Sequence, residues 1–151
     1  MKYYSVEPEV AGGLGPSTIL DRSTHPPKVE KLEYKFEGWL GDHIVESFPV
    51  FLVTETLLGK MQDAHLTGYL VEDVYVTLSD EFWPLDSTLK LPVFKWIKIV
   101  GEAKNSDLFL SSDYKLVISE KAKEIIENVG ATHWLLKDYS NYNGLAFSDR
   151  K

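Results

Sequence analysis

The chain has 151 residues, 44% of them hydrophobic, enough for one globular domain with its own core. Sixteen Lys and Arg against twenty-three Asp and Glu leave a net charge of −7, which disfavours nucleic acid and anionic membrane surfaces and favours a basic protein partner. There is no cysteine, so a disulfide framework and a thiolate metal site are excluded.

No apolar run approaches the roughly 20 residues needed to cross a bilayer. The start, Met1-Lys2-Tyr3-Tyr4, lacks the apolar stretch of a secretory signal, so a cytoplasmic location is expected. Residues 2–10 predict a short strand. Ala11 to Pro16 is glycine-rich but lacks both the Gly-Lys-Ser/Thr ending of a phosphate loop and the spacing of a dinucleotide fingerprint, and it reads as a turn. Pro26-Pro27 keeps the next connection extended. From Lys31 to Glu37 the chain alternates. Leu32, Tyr34 and Phe36 form an apolar face, and Lys31, Glu33, Lys35 and Glu37 form a solvated one suited to cross-strand pairing. Gly38 and Gly41 bracket Trp39 in a turn, and Ile44 to Val53 lead on as a strand.

The stretch that organises the chain occurs twice. Residues 52–74 and 117–139 align without a gap at a constant offset of 65, pairing Glu55 with Glu120, Thr67 with Thr132, Leu70 with Leu135 and Asp73 with Asp138. In the second copy Ser119 suits a helix N-cap and Glu120 complements the helix dipole. Ala122, Ile125, Ile126 and Val129 make one apolar stripe, and Gly130 ends the helix. In the first copy Thr54 and Glu55 open the helix, and Leu57, Leu58, Met61 and Ala64 make the stripe. His65 stands in the glycine's place, and Gly59 weakens this helix by about 1 kcal/mol relative to alanine.

Tyr69 to Leu78 reads as one strand, with Leu70, Val74, Val76 and Leu78 on one face. The period then breaks at 79–86, where Phe82 and Trp83 stand among acids ahead of Pro84. Residues 93–100 are nearly continuous in apolar residues and predict a central strand. Polar loops near 105–107 and 111–113 precede the second copy, and the Ser- and Asn-rich residues 140–151 predict a flexible tail. The expected fold is α+β: a single domain over residues 1–139, in which a twisted mixed sheet carries two short helices from the repeated strand–helix–strand unit.

His25, His43, His65 and His133 show no metal-ligand spacing, and neither HExxH nor GxSxG occurs. No catalytic residue, metal or cofactor is assigned, and a non-enzyme is expected. The alternative is a small enzyme or small-molecule binding protein with a pocket between sheet and loops. Segment 79–86 has two readings. Phe82 and Trp83 are core beneath solvated acids, or Asp80, Glu81, Phe82, Trp83 and Asp86 form the contact surface for a protein partner, with the acids steering a basic one.

The start Lys2-Tyr3-Tyr4 and the blocks Val53-Thr54-Glu55 and Ile118-Ser119-Glu120, each followed by a short helix and a Thr-led strand, resemble the immunity proteins of bacterial polymorphic toxin systems. The resemblance spans most of residues 1–139. Such proteins are encoded beside secreted toxins and neutralise them by binding. The resemblance implies a non-catalytic, acidic, cytoplasmic binder of a toxin domain and carries no family site onto a residue here; the expected target is a basic nuclease. A second copy of the chain is the other partner to consider, as a homodimer.

Overall fold

Thr54 and Ser119 each end a strand and open a helix. Their hydroxyls accept from the amides of Leu57 and Ala122, both at 3.1 Å, as N-caps do. The structure, a computed structural model, describes residues 2–83 and 91–139. The tail from 140 to 151 and Asp86 lie outside the described residues. In chain order the elements are β1 (Tyr3–Glu7), β2 (Gly12–Leu14), β3 (Ile19–Asp21), β4 (Lys28–Lys31), β5 (Glu33–Gly38), β6 (Ile44–Ser47), β7 (Val50–Thr54), α1 (Glu55–Asp63), β8 (Tyr69–Glu72), β9 (Tyr75–Trp83), β10 (Phe94–Ile99), β11 (Leu108–Leu110), β12 (Leu116–Ser119), α2 (Glu120–Val129) and β13 (Leu135–Asp138).

Two sheets share one plan. The first has the order β6-β7-β10-β8 and the second β11-β12-β1-β13. In each, the strands before and after the helix flank a third strand antiparallel to both. Residues 93–100 therefore do supply an inner strand, β10. Trp96 lies opposite Leu52 and Glu72, and Ser5 lies opposite Val117 and Lys137, so the partners in the two sheets differ by the same 65 positions (Leu52 to Val117, Glu72 to Lys137). We call β6–β8 with β10 the first unit, and β11–β13 with β1 the second.

α1 packs on β7 and β10, α2 packs on β12 and β1, and the helices touch each other. Between them lies a core to which both units contribute, with Val53, Leu57 and Met61 from one and Ile118, Ala122 and Ile126 from the other. Strand β7 is buried along its whole length because its two faces serve two cores. Phe51 and Val53 join the helices' core, while Val50 and Leu52 join a second core around Tyr34, Phe36 and Trp96. That second core is covered by the sheet β2-β5-β9, next to the hairpin β3-β4.

The α+β class and the two helices match expectation, with the strands divided among several sheets. The run from Tyr69 to Leu78 is two strands. It parts between Glu72 and Tyr75, where β8 pairs with β10 and β9 pairs with β5 in another sheet. The glycine-rich stretch is more than a turn, since Gly12, Gly13 and Leu14 pair with Phe36, Lys35 and Tyr34. A Cβ on Gly12 would stand 2.0 Å from the Lys35 carbonyl oxygen, so glycine is needed there for close backbone approach. Glu33, read as solvated, is only 5% exposed. Its carboxylate accepts from the Ser17 amide and hydroxyl and from the Thr77 hydroxyl, and these donors hold its pKa below the usual carboxylate range.

His65 shows how the copies diverge. Gly130 ends α2 at φ 130°, and His65, at the matching place after α1, takes a left-handed φ of 56°. An L side chain is disfavoured there by about 1 kcal/mol or more. His65→Gly should therefore raise stability by up to about 1 kcal/mol in a urea melt. A loss instead would show that the imidazole makes contacts worth more than the strain.

Candidate functional site

β9 is an edge strand. It runs parallel to β5, pairing Tyr75 with Glu33, Val76 with Tyr34, Thr77 with Lys35 and Leu78 with Phe36. No described residue pairs with its other side. Val76 turns inward onto the second core. Tyr75 is 60% exposed and Leu78 51%, a large apolar presence for an edge.

The period break seen in the sequence is a bulge. After Phe36 and Leu78, the next pair is Gly38 with Trp83, so two steps along β5 correspond to five along β9. The Ser79 hydroxyl accepts from the Glu81 amide within this bulge. Asp80 and Glu81 are exposed, while Phe82 is half-buried and packs against the second core. The backbone of Trp83 returns to pair beside Gly38. Asp86 falls outside the described residues. Of the five residues expected to form the contact surface, Asp80 to Trp83 thus lie on one strand, with the two acids outward and Phe82 inward.

A second constellation was not foreseen. Glu9, Asp42 and His133 offer two oxygens and a nitrogen within 4.8 Å of one another, the one such group among the described residues. Both acids are buried, and both are occupied by donors. Glu9 accepts from the amides of Leu40 at 2.6 Å and Asp42 at 3.2 Å, which wraps the turn of residues 39–42 around its carboxylate. The Trp39 indole donates to the Asp42 carbonyl, closing the same turn. Burial pushes the Glu9 carboxyl above its ordinary range, against the pull of those two amides. Asp42 accepts from Thr132 through its amide and hydroxyl and from the His133 amide, and the His133 ring nitrogen lies 3.3 Å away. A cation bound here would have to compete with these backbone donors, so the cluster's work is structural.

That work is reciprocal. The Asp107 carboxylate accepts from the amide and hydroxyl of Thr67, the threonine aligned with Thr132. An acid before the first strand of each unit thus grips the threonine that follows the other unit's helix. His43 is not oriented by its neighbour Asp42. Its Nδ1 lies 2.7 Å from the Thr54 hydroxyl, and its carbonyl accepts from the Thr54 amide, as the Asp107 carbonyl does from Ser119. The sequence signal for these clamps was Thr67 with Thr132 and, at the same offset of 65, Asp42 with Asp107; nothing local marked the acids as the threonines' partners.

Beside Glu9 lies an open cleft of about 310 Å³ walled by Trp39 and Leu40. An apolar groove of about 260 Å³ runs between Pro27, Pro49 and Trp96. Among the described residues no helix is long and apolar enough to cross a membrane. No protein-family model matches the chain, and no curated protein matches it.

Proposed function

We propose that the protein is an inhibitor of the immunity type, which binds a toxin domain in the cytoplasm of the producing cell and neutralises it without catalysis. The observation that supports this reading is β9, a long edge strand that presents apolar side chains and two acids. Natural sheets usually blunt such edges, because an unpaired strand is a template for another chain. A partner strand or loop laid along β9 would gain backbone hydrogen bonds, and Asp80 and Glu81 would draw a basic surface onto it. The chain's net charge acts in the same sense, which favours a basic nuclease as target. The matching registers on β10 and β1 support reading 52–74 and 117–139 as an internal repeat, with β9 an addition outside both units.

The test is co-expression with the toxin domain encoded beside this protein's gene, followed by binding kinetics on the purified pair. Trp83→Ala should weaken binding by about 2 kcal/mol or more, as hot-spot truncations do, and leave unfolding nearly unchanged. Reversing Asp80 and Glu81 together should slow association, and the effect should fade with salt as charges are screened beyond about 10 Å at 0.1 M. A Trp83→Ala protein that melts early yet binds normally would remove β9 from the interface. Failure to protect cells from the neighbouring toxin would remove the function.

A further inference from the structure

Glu46, on β6, turns into a small pocket where β6, the end of β1 and the start of β12 meet. The pocket holds about 190 Å³. Phe48 and Tyr114 supply aromatic surface. His25 packs on both rings, with centroids 6.4 Å and 5.4 Å away, and its carbonyl accepts from the Tyr114 hydroxyl. Glu7 and Lys115 form an ion pair at the pocket, 2.9 Å apart. Asp113 adds a further carboxylate, accepting from the Ser111 hydroxyl.

Glu46 is half-buried and differs from the three buried acids. Glu9, Glu33 and Asp42 each accept several hydrogen bonds, whereas among the described residues none donates to the Glu46 carboxyl. The groups around it are Glu7 of β1, Asp113 and Lys115 just before β12, and Tyr34 of β5, whose hydroxyl donates to the Glu46 backbone carbonyl. Lys115 is already held by Glu7. Three carboxyl groups and one engaged ammonium leave the pocket short of positive charge, and aromatic rings flank the gap.

We propose that this pocket receives the cationic end of a ligand, an alkylammonium or guanidinium group, which sits against Phe48 and Tyr114 and pairs with Glu46. A cation over an aromatic face and against a carboxylate gains from both, most of all where water is partly excluded. The proposal does not rest on β9. Burial, and after it the Glu7 charge, raise the Glu46 pKa to about 7 against the pull of Lys115, so near neutrality a fraction of the molecules carries it protonated. Binding should therefore strengthen as pH rises through neutrality.

The experiment follows the Glu46 carboxyl resonance by carbon NMR on the labelled full chain, titrated with pH in the presence of agmatine or a blocked Gly-Arg-Gly peptide. With either probe at saturation the Glu46 midpoint should fall by about one unit or more, the usual effect of a contacting opposite charge. Glu46→Gln should abolish saturable binding, and Phe48→Ala should weaken it about three-fold. Glu46→Gln is expected to fold. An acid whose folded-state pKa is raised loses stability as pH climbs from its unfolded value toward about 7, and the glutamine removes that loss. A response to both probes points to an arginine or lysine of a macromolecule, and a response to agmatine alone points to a small free amine. A Glu46 midpoint unmoved by both, or unchanged binding by Glu46→Gln, would overturn the proposal.

Discussion

Ile126→Ala should cost about 3–4 kcal/mol of folding free energy, the range for truncating a large aliphatic side chain with little room to collapse. Ile126 is 1% exposed and lies in the core shared by α1 and α2. The cluster it belongs to draws on both units, with Leu57 and Met61 from the first as well as residues of its own sheet. Relaxation by one helix alone could not fill such a site. Urea denaturation checks this through the midpoint at an unchanged slope. A loss below about half a kcal/mol is what surface changes give, and would place the residue outside the core.

Asp42→Ala should cost about 3 kcal/mol, although it removes no apolar contact. The carboxylate accepts from the Thr132 amide at 2.9 Å and the His133 amide at 2.8 Å. Hydrogen bonds to a charged acceptor contribute about 1.5–3 kcal/mol each, and loss of the acceptor leaves both amides without partners. Relief of Glu9, which the Asp42 charge opposes, offsets part of that loss. The matching clamp at Asp107 is more exposed on its Thr67 side, where water can replace the carboxylate, but it also accepts from the buried Ser119 hydroxyl at 2.7 Å, so Asp107→Ala should cost about 2 kcal/mol. The comparison is made in one set of urea melts. Equal losses at the two sites would show that burial does not set the difference.

The parts of the fold that were legible in the sequence are those written in local spacing. Ser119 and Thr54 are caps, Ala122 and Ile126 sit on a helical stripe, and the offset of 65 carries across both sheets. What was hidden depends on partners distant in sequence. Nothing near Leu52 or Val117 indicates that β10 and β1 insert between the flanking strands. Glu33 sits where a solvated charge is expected, and it is buried only because Ser17 and Thr77 bring donors from elsewhere. At the candidate site the bulge was visible as a broken period at 79–82, yet its edge position was not, because a strand's neighbours are set by topology. Glu46 carried no signal at all, since its surroundings are assembled from Glu7, Phe48 and Lys115.

The place of β1 has a consequence for the order in which the molecule is completed. Tyr3 is the pairing partner of Ser119, whereas Thr54 finds its partner in Phe94. On the ribosome the first unit can close as soon as β10 emerges. The second cannot close until β1, made before the first unit, has been kept available through the synthesis of everything between it and β13. Such distant pairing slows the last step and leaves β12 and β13 as unsatisfied edges in the interval. β1 therefore acts as the final fastener, and removing it would loosen the second unit and leave the sheet of the first intact.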